Sequence, residues 1–493
     1  MYYSSCFSGI STENKVCSRL MHLLGMGVMI TVITLGCSSP LFPASLSTQE
    51  HTELAIEVQQ RIERDFPFFQ GRHGPASHYA DTSSWPALGT FFASMDEYIS
   101  VPSEKFFDSL RSAVASLEDG HTSISPAPYG AYPGIRLRYF EGYGYERGIY
   151  VEELTQRRLE EGPDGLALGD RIVAVTDAHE RQVSEVSGML DSPEHQWDHL
   201  FDYLKTMISA SAEHAREQHA ADSLFSAALR GRPFPGDIGI RVERRGELLD
   251  LIISGGRMTD AFPEIREPYS AIISEGSSAY HYIALSTMTY FDDIDRIDRF
   301  ISEAIATHAD GIILDIRGNG GGNSALGDYL IARFNLLETF SFSIVKGTDG
   351  SLVRTIGPHQ ARGEQYDGPV ILLIDHEVYS AANHLTALCY YANARSIRSP
   401  AFVLVGDRTG GGSGRPHSVK LTPELTLRVS RDILVDPEGH HHERGIEPHV
   451  QVIITPSDLA AGMRVRMPEE KLFETYRHTD LVILEALKAL KDH

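Results

Sequence analysis

Cysteine is scarce in this chain of 493 residues: Cys6, Cys17, Cys37 and Cys389 are all there are. Three of them precede residue 40, so no disulfide framework can be built on the body of the protein. Cys389 lies in an apolar helical stretch, Ala387-Leu-Cys-Tyr-Tyr391, and reads as a buried structural thiol. Basic residues are also short, 44 Lys and Arg against 67 Asp and Glu, for a formal net charge of -23. A nucleic-acid partner is thereby disfavoured, because a phosphate-binding surface needs clustered Lys and Arg. No HExxH and no paired Cys/His spacing occurs. His440-His-His442 does not supply a metal site, since neighbours on an extended chain point to opposite faces. The residues call for no metal and no organic cofactor. Internal repeats are missing too, and apolar runs are short throughout.

The longest such run, Leu20 to Leu35, follows Lys15 and Arg19 and precedes Gly36-Cys37-Ser-Ser-Pro40. It is short for a membrane span and has the order of a secretory signal. Residues 1–36 are therefore expected to be a signal peptide and 37–47 a linker. Thr34-Leu-Gly-Cys37 resembles a bacterial lipoprotein processing box, with Cys37 as the lipidated residue and a lipid anchor to the membrane. An uncleaved anchor, or a cleaved signal without lipid, are the competing readings. The expected location is extracytoplasmic, in the periplasm or on the outer membrane of a bacterium.

What is present suits a multidomain α/β protein. Hydrophobic content of 42% and charged content of 23% are ordinary for globular chains, and the length suggests two or three domains. Residues 48–130 carry helix-period apolar patterns, with Pro67 stopping the first helix and Ser103 as the N-cap of another. Residues 131–255 turn to short strands, with a polar helical insertion at about 186–232 and a closing hairpin whose turn lies at Arg244 to Gly246. From 275 to 455 strands alternate with helices, which predicts a core with a mostly parallel sheet. The strands include Gly311–Ile316, Pro369–Ile374, Ala401–Gly406 and a late pair, Leu425–Val429 and Asp432–Val435. Residues 456–493 read as a charged helical tail.

Two loops of that core carry the chemistry. Gly311-Ile-Ile-Leu-Asp-Ile-Arg-Gly-Asn-Gly-Gly-Gly-Asn323 and Val370-Ile-Leu-Leu-Ile-Asp-His-Glu-Val-Tyr-Ser380 each read as a buried strand, a turn and a helix start. In such sheets the loops at the strands' carboxyl ends share one crevice. Ser380 offers a hydroxyl there; its bland alternative is an inert N-cap serine. The glycines offer backbone N–H groups, and Gly321 with Ala381 would form an oxyanion hole. Phosphate binding is the weaker reading, since the loop lacks a P-loop's Lys-Ser/Thr ending. Of 22 histidines, His121 stands out after the sharp Asp119-Gly120 turn. His384, four residues after Ser380, reads as a packing or surface group.

Five elements, in order, resemble one family. Asp119-Gly-His-Thr122, Leu314-Asp-Ile-Arg-Gly-Asn-Gly-Gly-Gly322, Tyr379-Ser-Ala-Ala-Asn383, Val405-Gly-Asp-Arg-Thr-Gly-Gly411 and Arg444-Gly-Ile-Glu-Pro448 are similar to the motifs of the S41 serine peptidases. That family includes the C-terminal processing peptidases and the tricorn protease core. Leu168-Gly-Asp-Arg-Ile-Val-Ala-Val175 similarly resembles an element of its PDZ module. The resemblance implies a PDZ-like domain over 131–255, with Leu168, Gly169 and Asp170 binding peptide, and a polypeptide substrate. It implies Ser380 as nucleophile, His121 as base, and Glu443 (or Glu438) as the acidic partner. The processing peptidases' lysine is missing from Gly410-Gly-Gly-Ser-Gly414, and Lys420 comes too late, which favours the histidine-based branch. Asn383 stands in place of the family's glutamate and His449 in place of its aspartate. An ordinary His pKa of about 6.5 would make activity rise from mildly acid to neutral pH. A non-catalytic peptide- or lipid-binding protein on the same scaffold is the alternative, motivated by Asn383 and the missing lysine.

Overall fold

The computed structural model describes residues 46–69, 85, 87–96, 103–127, 131–142, 145–162, 165–179, 181–229, 236–255, 262, 265, 267–289, 293–347 and 350–491. The expected signal peptide and Cys37 lie outside them. Among the described residues no helix is long and apolar enough to cross a membrane. The architecture is multidomain α/β: N-terminal helices, a β-rich region and a mixed α/β core.

Helices α1 (Thr48–Asp65), α2 (Leu88–Asp96) and α3 (Ser103–Ala115) come first among the described residues. A reciprocal Ser47–Glu50 capping box starts α1, and Leu54, Val58 and Ile62 form its buried face. Ser103 is not a cap but the first residue of α3. Its hydroxyl donates to Leu46 O at 3.1 Å and meets His51 Nε2 at 3.0 Å, which ties α3 to α1. Phe106 and Phe107 are buried below it.

The β-rich region is one antiparallel sheet: β2 (Ile135–Gly142), β3 (Tyr145–Leu154), β4 (Arg171–Asp177), β5 (Ile238–Arg244) and β6 (Glu247–Ile253), in that order. Strand β1 (Ser123–Ser125) precedes it and belongs to another sheet. The β5–β6 hairpin turns on Arg245 and Gly246, both with positive φ (54° and 84°), as a two-residue turn matched to strand twist requires. Between β4 and β5 run α4 (Val183–Leu190), α5 (Trp197–Met207) and α6 (Glu213–Ala228). Phe201 and Leu204 from α5, with Leu224 and Phe225 from α6, fill one core with Leu137, Ile149 and Ile240 of the sheet.

The core continues with β7 (Tyr269–Glu275), β8 (Ser278–Ala284), α7 (Asp293–Ala306), β9 (Gly311–Asp315), α8 (Ser324–Ile331), β10 (Phe340–Lys346), β11 (Leu352–His359), β12 (Val370–Ile374) and α9 (Ala381–Ala394). It closes with β13 (Phe402–Gly406), β14 (Gly414–Lys420), β15 (Thr426–Val435), β16 (Val450–Gln451), α10 (Pro456–Ala460) and α11 (Leu481–Lys491). Six strands form one sheet, β16-β13-β12-β9-β8-β7, parallel except for the β7–β8 pair. Strands β9 and β12 are buried along their whole length, which is why they read as unbroken apolar runs. Leu314 and Leu372 face a layer containing Ile297, Leu330 and Leu385, while Ile313 and Leu373 face Val482, Ile483 and Leu490.

Three expectations are corrected here. Among the described strands, parallel pairing is confined to that one sheet, and the sheets are mostly antiparallel. The late strand pair is a single strand, β15, central to an antiparallel sheet with β1, β10, β11 and β14. Its polar middle, Ser430-Arg431, looks like a break, but Ser430 is fully buried and its N–H bonds Thr122 Oγ1 at 3.1 Å. The expected tail is also no appendage: α11 covers the second face of the parallel sheet. Arg317 locks it there, donating to Asp480 Oδ1 at 3.0 Å and Oδ2 at 2.9 Å while pairing with Asp315, all three side chains being buried.

Candidate active site

Strand β12 delivers the chain through Asp375–Tyr379 to Ser380, at the start of α9. Ser380 has φ 56° and ψ −118°, a region that residues with a side chain seldom occupy. Its N–H bonds Gly411 O at 3.0 Å, and its side chain makes no capping bond. The hydroxyl is thus not spent on the helix, which separates it from an ordinary N-cap serine.

Strand β1 brings in the histidine. Its pairing with β15 anchors the segment just after His121, and Asp119 shapes the turn before it. Asp119 Oδ1 accepts from His121 N at 2.9 Å, and Oδ2 accepts from Thr122 Oγ1 at 2.5 Å. Gly120 is required by contact: a Cβ there would lie 2.7 Å from Tyr379 Oη. The His121 ring rests against that tyrosine, centroids 4.7 Å apart. His121 Nε2 lies 2.9 Å from Ser380 Oγ. The ring is 1% exposed, and burial pushes its pKa down to about 4, with Asp119 opposing and Arg428 adding to the shift. His121 Nδ1 is buried and makes no hydrogen bond among the described residues.

Glu443 lies behind the imidazole, fully buried. Carboxylate oxygens of Glu443 and Asp119 and a His121 ring nitrogen all fall within 4.8 Å of one another. Glu443 Oε1 accepts from Ser211 Oγ at 2.5 Å; Oε2 accepts from Ser413 N at 2.5 Å and Gly414 N at 2.9 Å. Burial and the Asp119 charge push its pKa up to about 8, against the pull of those three donors. Ser211 is a residue that no sequence signal marked. Located between α5 and α6, it also accepts from Gly120 N at 3.0 Å and meets Tyr379 Oη at 3.0 Å.

The glycine loop lies against the serine, with one correction. Gly321 N–H, expected to face an oxyanion, donates instead to Asn319 Oδ1 at 2.9 Å. Asn319 in turn donates to Leu285 O at 2.8 Å and holds the loop on β8. Gly321 serves by its lack of a side chain: at φ 98°, a Cβ would sit 2.7 Å from Ala381 N and 2.9 Å from Ser380 Cβ. Ala381 N–H stands in the first turn of α9, where backbone donors have no helical acceptor. Tyr379 N bonds Asn319 O at 3.0 Å, which stitches the two loops together. A cavity of about 700 Å³ opens beside them, lined by Thr287, Gly318, Gly320–Gly322, Glu377 and Arg466.

Residues 280–452 match the family model described as Peptidase family S41. The match places an S41 peptidase domain over that part of the chain. Comparison with solved structures finds "Structure of mature CPAF complexed with lactacystin" at TM-score 0.59 and 13% identity, covering 90% of this chain and 99% of that one. "Crystal Structure of mature CPAF" follows at TM-score 0.56 and 14% identity, covering 84% and 94%. At such identities the likeness is one of fold. A comparison with curated proteins finds no match.

Outside the S41 domain's centre, the remaining candidates fall elsewhere. Glu438 pairs with Arg395 at the surface. His384 bonds Asp328 Oδ1 at 2.8 Å. His440 reaches Asp436 Oδ2 at 3.3 Å, while His442 is mostly buried, with its pKa pushed down to about 4 by burial. Cys389 is buried, its thiol pushed up to about 12. Asn383 is a brace: Oδ1 accepts from Thr409 Oγ1 at 2.7 Å and Nδ2 donates to His442 O at 3.0 Å. His449 extends the sheet, its Nδ1 accepting from Leu404 N at 2.9 Å. The three residues expected to bind peptide are committed to packing. Asp170 is paired to Arg244 through both oxygens, at 2.8 and 2.6 Å. Gly169 N bonds Val151 O and its Cα faces Ala460 of α10, and Leu168 packs on the β-rich core.

Proposed function

We propose that this S41 domain hydrolyses peptide bonds through an acyl-enzyme on Ser380. The observation that carries the reading is the 2.9 Å contact between His121 Nε2 and Ser380 Oγ, in a site where the hydroxyl has no structural duty. His121 takes the hydroxyl proton as Oγ attacks the scissile carbonyl carbon. The resulting oxyanion is held by Ala381 N–H at the positive end of α9. His121 then gives its proton to the leaving amine, the C–N bond breaks, and the acyl group remains on Oγ. A water enters, loses a proton to His121 and attacks the ester; the carboxylate product leaves and the proton returns to Ser380.

Glu443 supports the imidazolium that forms between these steps. Burial and Asp119 hold its pKa up at about 8, and a cation on His121 acts with the three hydrogen bonds that it accepts to favour its ionised form. The substrate is an extended polypeptide that reaches the cavity beside Gly320–Gly322. The protein acts outside the cytoplasm, held by a lipid on Cys37; incorporation of labelled fatty acid into the full chain, abolished in Cys37→Ala, tests the anchor. The activity is tested with an unstructured polypeptide: wild type should release new amino termini, and Ser380→Ala should not. Equal release by both would end the reading.

A further inference from the structure

An exposed sheet edge is a ready template for an added peptide strand. Strand β2 is such an edge, since among the described residues it pairs with β3 alone. Its outward backbone groups are nevertheless in use. Leu137 N–H donates to Asp222 Oδ1 at 3.1 Å, and Tyr139 N–H donates to Gln218 Oε1 at 3.2 Å. Gln218 Nε2 donates back to Leu137 O at 2.5 Å. Gln218 and Asp222 sit four apart on α6 and so share one face. The Gln218 carboxamide is chemically a peptide group, donating and accepting as a neighbouring strand would.

Nor is α6 free to withdraw. Ala220, Ala221, Leu224 and Phe225 on it are fully buried in the core of the β-rich region. Asp222 also faces Arg466 Nη2 at 4.0 Å, and Arg466 is paired with Glu152 of β3 and with Glu377 of the loop before Ser380. Pulling α6 away would strip hydrogen bonds from β2 and an acidic neighbour from a side chain that is 10% exposed.

We infer that α6 is a built-in substitute for a peptide strand on β2, so the β-rich region does not recruit substrate by strand addition, and peptide selection falls to the cavity beside Gly318–Gly322. The second half rests on the peptidase reading; the first half does not. The helical insertion is then the element that closes the region's binding edge. The assignment also agrees with Leu168, Gly169 and Asp170 being turned to packing.

Hydrogen exchange resolved to single amides, on the full chain carrying Ser380→Ala, decides this without any turnover. Leu137 and Tyr139 should be protected like paired sheet amides, by about 100-fold or more over an unstructured chain. Gln218→Ala should speed exchange at Tyr139 by about tenfold while amides of β4 and β5 keep their rates. Adding a millimolar extended peptide with a free carboxylate should leave residues 135–142 unchanged. Fast exchange at both amides in the parent chain, or new protection of 135–142 on adding peptide, would overturn the inference. Failure of the peptidase reading would show separately, as absence of hydrolysis by the wild type.

Discussion

His121 Nε2 and Ser380 Oγ, 259 positions apart in sequence, meet at 2.9 Å because β1 pairs with β15 while β12 feeds α9. Neither side chain is arranged to stabilise its own element. The serine is held at a positive φ and caps nothing, and the histidine is buried with one ring nitrogen unpaired.

Burial sets the pH dependence. A base must be neutral to accept a proton, and the buried His121 stays neutral down to about pH 4. The acid limb of kcat/KM should therefore lie near 4, not at the ordinary histidine value of about 6.5. An unshifted histidine would instead give a rise between mildly acid and neutral pH. The same shift affects stability: the unfolded chain binds a proton at His121 below about 6.5 and the folded chain does not. Stability is thus lost progressively from there down towards pH 4, so rates should be taken in short assays alongside a fold probe. An acid limb centred near 6.5 would count against the buried base.

Glu443→Gln keeps the shape and removes the ionisable group. Support for the imidazolium is lost, so kcat should fall about 10- to 100-fold with KM little changed. Any step in the wild-type profile near pH 8, where Glu443 titrates, should vanish in the variant. A variant as fast as wild type at every pH would remove Glu443 from the account.

How much of this was legible varies with how local the information is. Ser380 and His121 follow turns whose glycines and flanking strands are visible in the sequence. Ser211 is not marked at all, because its partners are 91, 168 and 232 positions away and a lone serine carries no pattern. At Gly321 the sequence shows that a bare backbone is present but not that its N–H points to Asn319 Oδ1. The helix at 481–491 looked like a tail because Glu485, Lys488 and Lys491 are charged, yet Val482, Ile483, Ala486 and Leu490 form a continuous buried face.

Gly321→Ala tests the close approach of the two loops. The new methyl would strike Ala381 N, Tyr379 O and Ser380 Cβ, and φ 98° is strained for alanine. Loss of about 1–3 kcal/mol of stability is expected, with kcat reduced more than KM in the fraction that folds. Thermal melting and steady-state kinetics check both; wild-type values would contradict the tight packing.

Arg317→Met leaves Asp315 and Asp480 buried without their cation. Removing one partner of a buried ion cluster costs about 3–5 kcal/mol, so the melting temperature should drop sharply. Because Arg317 holds α11 on the sheet and does not touch Ser380, activity per folded molecule should fall far less than in Ser380→Ala. A melting temperature unchanged from wild type would show the cluster to be dispensable.

The most direct test is covalent. A fluorophosphonate probe requires an activated serine, and peptide mapping shows which residue carries the label. The account predicts labelling of Ser380, absent in Ser380→Ala, slowed at least about 100-fold in His121→Ala, and persisting in wild type down to about pH 4 as the buried base dictates. Labelling of another serine, or of Ser380 at an unchanged rate without His121, would contradict it.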